Sequence, residues 1–319
     1  MKLSVIIVNY KTPEMTLDAA SAALDQLKML DCNWQLTIVD NDSQDGSFEK
    51  LQNSVDGKTT LDRSLWERVD VLQSGFNGGF GAGNNFGIKH QLKENDQVDY
   101  FYILNSDAFP EEGSIKYLMD YLDAHHDVGI AGSYIHGPDN EPHATAFRFP
   151  SALGEFECAI GFGPITRLLK NSVVPMGIPE ATQEVDWLAG ASMMIRCTVL
   201  EQVGLFDEGF FLYYEETDFC RRAKNNCWST VYVKESSVCH IGSVTTGMKE
   251  WKRIPNYWFD SRRRYFIKSY GNYYYYLATC LRIIGELLYK LRAFIFRKKS
   301  VKPAGFTYDL TKHMLTNIF

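Results

Sequence analysis

A short run of acidic residues contains carboxylates that could act as a general base. Glu215, Glu216 and Asp218 follow two tyrosines at the predicted start of a helix, where the positive end of the helix dipole favours ionised side chains. Burial and like charge raise the pKa of one member of such a cluster towards neutral pH, which suits a base. The alternative is ordinary acidic residues at a helix start, paired with Arg221 and Arg222.

Two further residues are candidate metal ligands. Asp107 ends an apolar run, and Mg²⁺ typically takes one or two protein carboxylates and completes its coordination with phosphate oxygens and water. The alternative role for Asp107 is to cap a helix that starts near Glu111. His240 ends another apolar run, a position that suits a metal ligand, a phosphate donor or a loop residue with a structural hydrogen bond.

The stretch 75–87 contains six glycines and could approach a ligand closely. Glycine backbone leaves its N–H groups uncovered, as binding of a nucleotide or a sugar diphosphate requires. The stretch does not fit the dinucleotide-binding pattern, since Asn84 or Phe86 falls where the third glycine belongs, and we therefore expect poor packing of the following helix on its strand. The alternative is a flexible loop that binds no ligand.

Strands and helices alternate around these residues. Apolar runs at 3–8, 36–39, 69–72 and 100–104 predict buried parallel strands. Helices are predicted from an N-cap at Thr12 to about Leu30, and from the glycine stretch to about Leu92. This order predicts βαβ units in a doubly wound α/β sheet.

In such a sheet, ligands bind beyond the carboxyl ends of the strands. We therefore expect Tyr10, Asp40, the glycine stretch and Asp107 to converge on one crevice. The alternative is that polar residues follow these strands only because turns are polar.

Composition and charge limit the function classes. The 319 residues, 45% hydrophobic and 23% charged, suffice for one large α/β domain or two small ones, and the net charge of −6 argues against nucleic acid as a partner. Residues 251–319 nevertheless hold 14 Lys and Arg against 3 Asp and Glu, a local net charge of +11. Seven cysteines without a C-x-x-C pair indicate free thiols, and the apolar run at the N-terminus is too short for a signal peptide. We therefore expect a cytoplasmic protein.

The basic segment 251–319 is predicted to be a helical extension of a catalytic domain at 1–250. Its apolar run at 277–296 contains four charged residues, which makes it a poor transmembrane span and a good basic amphipathic helix for an anionic membrane surface. The alternative is a helix packed on the catalytic domain or on a second subunit. The arginines at 262–264 could also contact phosphate of a donor or acceptor.

Taken together and in order, these segments resemble the inverting glycosyltransferases of family 2, which have the GT-A fold, and among them the bacterial rhamnosyltransferases. The matching pieces are residues 4–10, 39–47, 77–87, 104–108, 190–196, 204–208 and 211–218, followed by His240. Each motif is loose, but their ordered combination over residues 3–247 is specific.

The resemblance implies a nucleotide-sugar donor and a divalent cation. Asn105-Ser106-Asp107 occupies the family's D-x-D position, so that Asp107 would bind Mg²⁺ or Mn²⁺ on the donor diphosphate, with His240 nearby. Asn105 replaces the first aspartate of that motif. The donor-binding residues implied are Tyr10, Asp40, Asn77, Gly79, Phe80, Asn84, Asn105 and Ser106.

The resemblance also implies a base and a reaction. The family's catalytic base corresponds to Glu216, with Glu215 and Asp218 as alternatives. We expect transfer of a sugar, rhamnose from dTDP-rhamnose first and sugars from UDP donors next, to a hydroxyl of a bacterial surface glycan or its lipid-linked precursor. Other partners considered are the inner face of the cytoplasmic membrane and a second copy of the chain.

Two other functions compete with this one. A sugar nucleotidyltransferase would need a basic glycine-rich loop after the first strand, and residues 9–13 lack it. A non-catalytic glycan-binding or scaffold protein on a degenerate transferase fold is the other alternative, given Asn105 and Glu216 at motif positions.

Overall fold

The computed structural model describes residues 1–57, 63–94, 97–242, 251–297 and 303–317. The strands are β1 Lys2–Asn9, β2 Asn33–Asp40, β3 Val69–Gln73, β4 Tyr100–Asn105, β5 Ala108–Pro110, β6 Val128–His136, β7 Pro142–His143, β8 Ala146–Phe147, β9 Gln183–Val185, β10 Trp187–Leu188, β11 Ser192–Arg196 and β12 Ser229–His240. The helices are α1 Pro13–Leu27, α2 Ser47–Asp56, α3 Arg63–Trp66, α4 Gly79–Glu94, α5 Ser114–Ala124, α6 Ala152–Ile160, α7 Gly163–Leu168, α8 Cys197–Val203, α9 Glu215–Asn225, α10 Asn256–Tyr270, α11 Asn272–Ile295 and α12 Phe306–Thr316.

One mixed sheet forms the centre of the fold. Its strand order is β3-β2-β1-β4-β11-β6-β12-β5, and β7 and β9 pair at its side. The first four strands are parallel, β11 runs antiparallel between β4 and β6, and β12 is parallel to β6. The interior of β1 is fully buried, as expected for a strand covered by helices on both faces. The predicted α/β architecture with a mostly parallel sheet is confirmed.

The register of the parallel strands brings their polar ends together. Asn9 pairs with Asp40, Val8 with Asn105, and Asp40 with Gln73. The segments that follow these strands therefore leave the sheet at one edge, as predicted for the crevice.

The glycine-rich stretch is mostly helical, which corrects two expectations. Helix α4 begins at Gly79, inside the segment expected to be a loop. A Cβ atom on Gly83 would stand 2.8 Å from Val8 Cγ1, and one on Gly87 would stand 2.8 Å from Ile6 Cγ2. The expectation of poor packing was wrong, because Gly83 and Gly87 let the helix lie directly on β1.

The first helix differs from its prediction at both ends. Pro13 occupies the first turn as expected, but the Thr12 hydroxyl makes no capping hydrogen bond. Thr12 instead accepts at its carbonyl oxygen from the Thr16 amide. The helix ends at Leu27 rather than near Leu30, because residues 28 and 29 form a turn.

The C-terminal helices share a core with the body of the protein. Tyr265, Phe266 and Tyr275 pack in one buried cluster with Phe210 and Ala152. Helix α11 packs against α6, and α10 packs against α9. The extension thus packs against the catalytic body, and the domain boundary at residue 250 stays a prediction.

Arg262 is enclosed by this packing. It is 1% exposed, and its Nε and Nη2 donate to Glu155 Oε2 over 3.2 and 2.9 Å. Arg264 pairs instead with Asp207, at 2.7 Å from Nη2 to Oδ1. The expectation that residues 262–264 contact phosphate is therefore wrong for Arg262, because its guanidinium is buried against a carboxylate.

Within the described residues, none of the helices combines the length and the apolar character that crossing a membrane requires. All seven cysteines are free thiols, of which Cys197 and Cys220 are buried.

Candidate active site

At the end of β2, the carboxylate of Asp40 organises the following turn. Its Oδ1 accepts from Asn9 Nδ2 over 2.7 Å and from Ser43 Oγ over 2.6 Å, and its Oδ2 accepts from the Ser43 amide over 3.1 Å. Asp40 is 1% exposed, and Tyr10 lies half-buried just beyond Asn9. The polar end of β1 and that of β2 thus form one hydrogen-bonded unit.

A second unit shapes the start of α4. Asn77 Oδ1 accepts from the Gly79 amide over 3.0 Å and from Asn41 Nδ2 over 3.1 Å. Gly79 has φ +85°, and a Cβ atom there would lie 1.6 Å from the carbonyl oxygen of Phe211. Only glycine permits this approach, which sets the start of α4 against the segment leading to the acidic run.

Two other predicted donor residues lie in α4. Asn84 is fully buried and donates from Nδ2 to the Phe80 carbonyl over 2.9 Å. Its Oδ1 has no hydrogen-bond partner among the described residues. A buried amide oxygen without a partner has unused capacity for a donor group.

Asp107 and His240 meet where β4 and β12 end. His240 Nε2 lies 3.0 Å from Asp107 Oδ1, and the Gly242 amide donates to Asp107 Oδ2 over 3.1 Å. Asn105 Nδ2 is 3.4 Å from His240 Nε2, and Ser106 is 5% exposed. The structure therefore brings the predicted metal motif and the predicted histidine together.

The alternative role of Asp107 as a helix cap is wrong. Helix α5 begins at Ser114 with Gly113 at its N-cap, and Asp107 is bonded to the end of β12 instead. The short strand β5 after Asp107 pairs with β12, with Ala108 opposite His240.

The residues present fit a divalent cation that shares its coordination with a ligand. Asp107, with 8% side-chain exposure, supplies the carboxylate oxygen that Mg²⁺ and Mn²⁺ prefer, and the His240 imidazole, with 18%, adds a nitrogen that is more typical of transition-metal sites. No group of three or more His, Cys, Asp and Glu side chains suited to a metal occurs in the described ranges. Phosphate oxygens and water would complete the coordination.

The acidic run begins helix α9 after two strained tyrosines. Tyr213 and Tyr214 have φ values of 68° and 71°, a region that costs a non-glycine residue about 1–3 kcal/mol and is found preferentially at functional sites. The next residue, Glu215, is 2% exposed, and Glu216 is half-buried. One carboxylate oxygen of each glutamate is buried without a hydrogen-bond partner among the described residues.

Burial raises the pKa of both glutamates. For Glu215 the negative charge of Glu216 raises the pKa further, well above 4.5. For Glu216 burial outweighs the backbone hydrogen bond from Gly190, which acts in the opposite direction. Carboxyl groups with raised pKa values and unpartnered oxygens are suited to accept a proton near neutral pH.

Asp218 differs from its two neighbours because it is ion-paired. Its Oδ2 lies 2.8 Å from Arg222 Nε and 2.8 Å from Lys268 Nζ. The expected pairing of the run with Arg222 is confirmed, whereas Arg221 donates to the Tyr270 hydroxyl over 2.8 Å. Glu215 and Glu216 are thus the members of the run whose oxygens stay available.

Residues 190 and 191 connect these parts of the site. A Cβ atom on Gly190 would stand 2.9 Å from Phe80 Cζ and 3.8 Å from Glu216 Oε1. The Ala191 carbonyl accepts from the Asn105 amide over 3.0 Å. The start of α4, the acidic helix and the metal motif therefore converge on one short segment, and no individual role was predicted for these two residues.

The sequence signal for this junction was the run of small residues at 190–192. It follows the apolar strand β10 and includes Ser192, the first residue of β11. The roles of Asn9 and Asn41 were not predicted because they depend on hydrogen bonds between segments far apart in the chain. Ser43 was also missed, although it bonds to Asp40 within the same turn.

Comparison with known proteins gives a family and relatives. Residues 4–181 match the model of glycosyl transferase family 2. Over 206 residues the chain is 29% identical to N-acetylglucosaminyl-diphospho-decaprenol L-rhamnosyltransferase of Mycobacterium tuberculosis, covering 61% of this chain and 66% of that protein. Over 228 residues it is 28% identical to the low-salt glycan biosynthesis hexosyltransferase Agl10 of Haloferax volcanii, covering 70% of this chain and 61% of that protein. The chain thus spans slightly less than two thirds of the length of these curated relatives.

A solved structure supports the fold. The mannosyltransferase PcManGT from Pyrobaculum calidifontis, in complex with GDP-Man and Mn²⁺, superposes with a TM-score of 0.57 at 12% identity, covering 99% of this chain and 80% of that one. This likeness confirms the predicted GT-A fold. Since the family model matches more than half of the residues, the chain belongs to glycosyl transferase family 2.

Proposed function

We propose that this protein is a metal-dependent, inverting transferase that moves a sugar from a nucleotide-diphosphate donor to a hydroxyl of a surface glycan or its lipid-linked precursor. The observation that carries the proposal is the junction at Gly190 and Ala191, which lies beside Glu216 on one side and is bonded to Asn105 of the predicted metal motif on the other. A proton acceptor and a cation site close to one cleft are what such a transfer requires.

Rhamnose from dTDP-rhamnose is the first donor proposed, and UDP-sugars are the second. The support is the name of the mycobacterial relative, which describes a rhamnosyltransferase acting on a lipid diphosphate-linked sugar. The name of the archaeal relative describes a hexosyltransferase of glycan biosynthesis. A lipid-linked acceptor would place the reaction at the inner face of the cytoplasmic membrane.

The donor would lie across the strand ends. Tyr10 and Asp40 would contact the nucleoside, and three of the roughly four lone-pair positions of the Asp40 carboxylate are already used, which leaves one for a base N–H. The other donor contacts would come from Asn77, Gly79, Phe80, Asn84, Asn105 and Ser106.

Asp107 and His240 would hold Mg²⁺ or Mn²⁺ against the diphosphate. When bound, the cation neutralises charge that develops on the leaving diphosphate. The Gly242 amide keeps Asp107 in place by its bond to Oδ2, which leaves Oδ1 beside His240. The Asn105 side chain would lie beside the same site, since its Nδ2 is 3.4 Å from His240 Nε2.

Glu216 would be the base. Its unpartnered carboxylate oxygen would take the proton of the acceptor hydroxyl while the acceptor's own oxygen bonds to the anomeric carbon. The bond from the anomeric carbon to the diphosphate would break on the opposite side, so that configuration inverts and no covalent enzyme intermediate forms. Glu215 is the second candidate, and Asp218 is the third because two cations already hold it.

A thermal-shift screen tests this proposal. The full chain is heated with dTDP-, UDP- and GDP-sugars, each with and without Mn²⁺, since a ligand that binds the native state raises apparent stability. We expect a metal-dependent rise with one nucleotide class. A rise that does not need metal would contradict the cation role, and the absence of any rise in folded protein would favour a non-catalytic protein.

A further inference from the structure

Helix α11 has two opposite faces of unlike environment. One face packs on α6, where Tyr275 and Ala278 are buried and a Cβ atom on Gly285 would stand 2.6 Å from Ala159 Cβ. The opposite side is exposed, and we call it the α11 outer face: it consists of Tyr273, Leu277, Cys280, Ile284, Leu287, Leu288, Leu291, Phe294 and Ile295. At about 100° per residue these positions span an arc of roughly 120°, opposite the packed side.

The α11 outer face is apolar throughout. Leu291 is 56% exposed and Phe294 is 83% exposed, and no charged side chain falls within the arc. Isolated apolar residues on a surface are normal, but a contiguous row of this length marks an interaction site. Phe162 extends the row from the neighbouring loop, since the Arg292 guanidinium lies 5.0 Å from its ring.

Cations border this apolar face. Lys290 and Arg292 lie on its two flanks by helical position, and exposed Arg297 follows the end of the helix. In sequence, Lys298, Lys299 and Lys302 come next. The only acidic residue from 272 to 302 is Glu286, which is 2% exposed and lies on the packed side. Among the described residues from 272 to 297, the exposed charged side chains are therefore all cationic.

This charge favours an anionic lipid surface over a second copy of the chain as the occupant. A second copy would present the same cations, whereas anionic headgroups attract juxtaposed Lys and Arg while the acyl region takes the apolar side chains. The described part of α11 does not meet the requirements for spanning a bilayer. An apolar arc with cationic flanks is typical of helices that lie in the membrane interface.

We propose that the α11 outer face, together with Phe162, docks the protein on an anionic bilayer by inserting its apolar side chains at the boundary of headgroups and acyl chains. This inference goes beyond the proposed function and does not depend on it. A lipid-linked acceptor, if that is the substrate, would lie in the same bilayer.

Vesicle sedimentation tests the inference with the full chain. Sucrose-loaded vesicles of phosphatidylcholine and phosphatidylglycerol in equal parts are compared with vesicles of phosphatidylcholine alone. We expect binding to the anionic vesicles that weakens with added salt. Leu287→Glu combined with Leu291→Glu should lower the vesicle partition coefficient by about tenfold or more, because two inserted apolar groups are replaced by charges.

The matched control is Met29→Glu combined with Leu92→Glu. Both of these residues are exposed apolar side chains outside α11, so the change in charge is the same. Partition of the control should equal that of the unmodified protein. Where the test variant fails to fold, Phe294→Glu replaces it, since that side chain is 83% exposed and should still lower the partition several-fold.

Three results would overturn the inference. These are no binding to anionic vesicles at low salt, equal binding by the α11 variant and the control, or a dimer in light scattering that the α11 variant converts to a monomer. The last result would assign the face to a second copy of the chain. None of these measurements uses a donor or an acceptor, so the outcome is independent of transferase activity.

Discussion

Lys268 of helix α10 pairs with Asp218 of helix α9, with 2.8 Å between Nζ and Oδ2. The same ammonium group lies 2.7 Å from Asp207 Oδ2. It therefore ties together two points of the segment 207–218, which carries the strained tyrosines and the three candidate bases. Burial alone would raise the pKa of Asp207, but hydrogen bonds from Arg264 and Lys268 hold it well below its usual range. The C-terminal extension thus supports the acidic helix directly.

Lys268→Met should destabilise the protein and slow turnover. It removes one cation from Asp218, which is 2% exposed, while Arg222 remains, so we expect a loss of about 1–3 kcal/mol in the free energy of unfolding by urea. The control is Lys116→Met, whose exposed pair with Asp120 should contribute no more than about 0.5 kcal/mol. Equal effects of the two changes would contradict a supporting role for Lys268.

Gly190→Ala tests the junction of the site. The added methyl group would stand 2.9 Å from Phe80 Cζ, so either the ring or the segment at 190 must move. We expect kcat/KM for transfer to fall by about tenfold or more, since displacement of a positioned group is costly. Gly163→Ala is the control, because nothing lies within 4 Å of a Cβ atom there. Unchanged kinetics in the Gly190 variant would show that the close approach of Phe80 is not needed.

Glu215→Gln should make stability less dependent on pH. The pKa of Glu215 is raised in the folded protein. The neutral side chain therefore contributes to the free energy of unfolding below pH 4.5, and this contribution is lost as the pH rises through the pKa of the folded state. Glutamine does not ionise, so the variant should gain relative to the unmodified protein between about pH 5 and about pH 8, by about 1.4 kcal/mol for each unit of pKa shift. Urea unfolding at both pH values measures this difference. A constant difference would mean that Glu215 has an ordinary pKa.

Glu216→Gln should lower kcat by about 10²- to 10⁴-fold and leave donor binding nearly unchanged, because the amide cannot take the acceptor proton. In the unmodified protein, kcat should rise with pH through the raised pKa of the base. Parallel kinetics of Glu215→Gln form the comparison. If the Glu216 variant keeps its turnover while the Glu215 variant loses it, the base is Glu215.

The parts of the fold set by local patterns could be predicted from the sequence. The apolar runs of β1, β2, β3 and β4 predicted the parallel part of the sheet. The polar residues that follow these runs predicted that Asp40 and Asp107 lie at one edge. The pairing of β12 with β5, which brings His240 to Asp107, joins residues 133 positions apart. No local pattern encodes that contact, and only the resemblance to a family brought the two residues together.

In the glycine stretch and in the C-terminal extension, the packing of particular residues could not be predicted from the sequence. Gly83 and Gly87 pack on β1, but a fingerprint with different spacing could not reveal this. Arg262 reads as a surface cation in an arginine cluster, and its burial depends on Glu155 in a helix that the sequence did not predict. Both errors concern contacts between distant segments, where composition carries little information.

The most direct test of the central claim is the rate of nucleoside diphosphate release from the donor identified by thermal shift. The unmodified protein and Asp107→Ala are compared with acceptor and Mn²⁺, and the anomeric configuration of the product is read by NMR. We predict a product of inverted configuration and a rate in the Asp107 variant that is lower by about a thousandfold or more, with the fold intact. Retained configuration, or a folded Asp107→Ala protein that turns over at the unmodified rate, would contradict the proposed site.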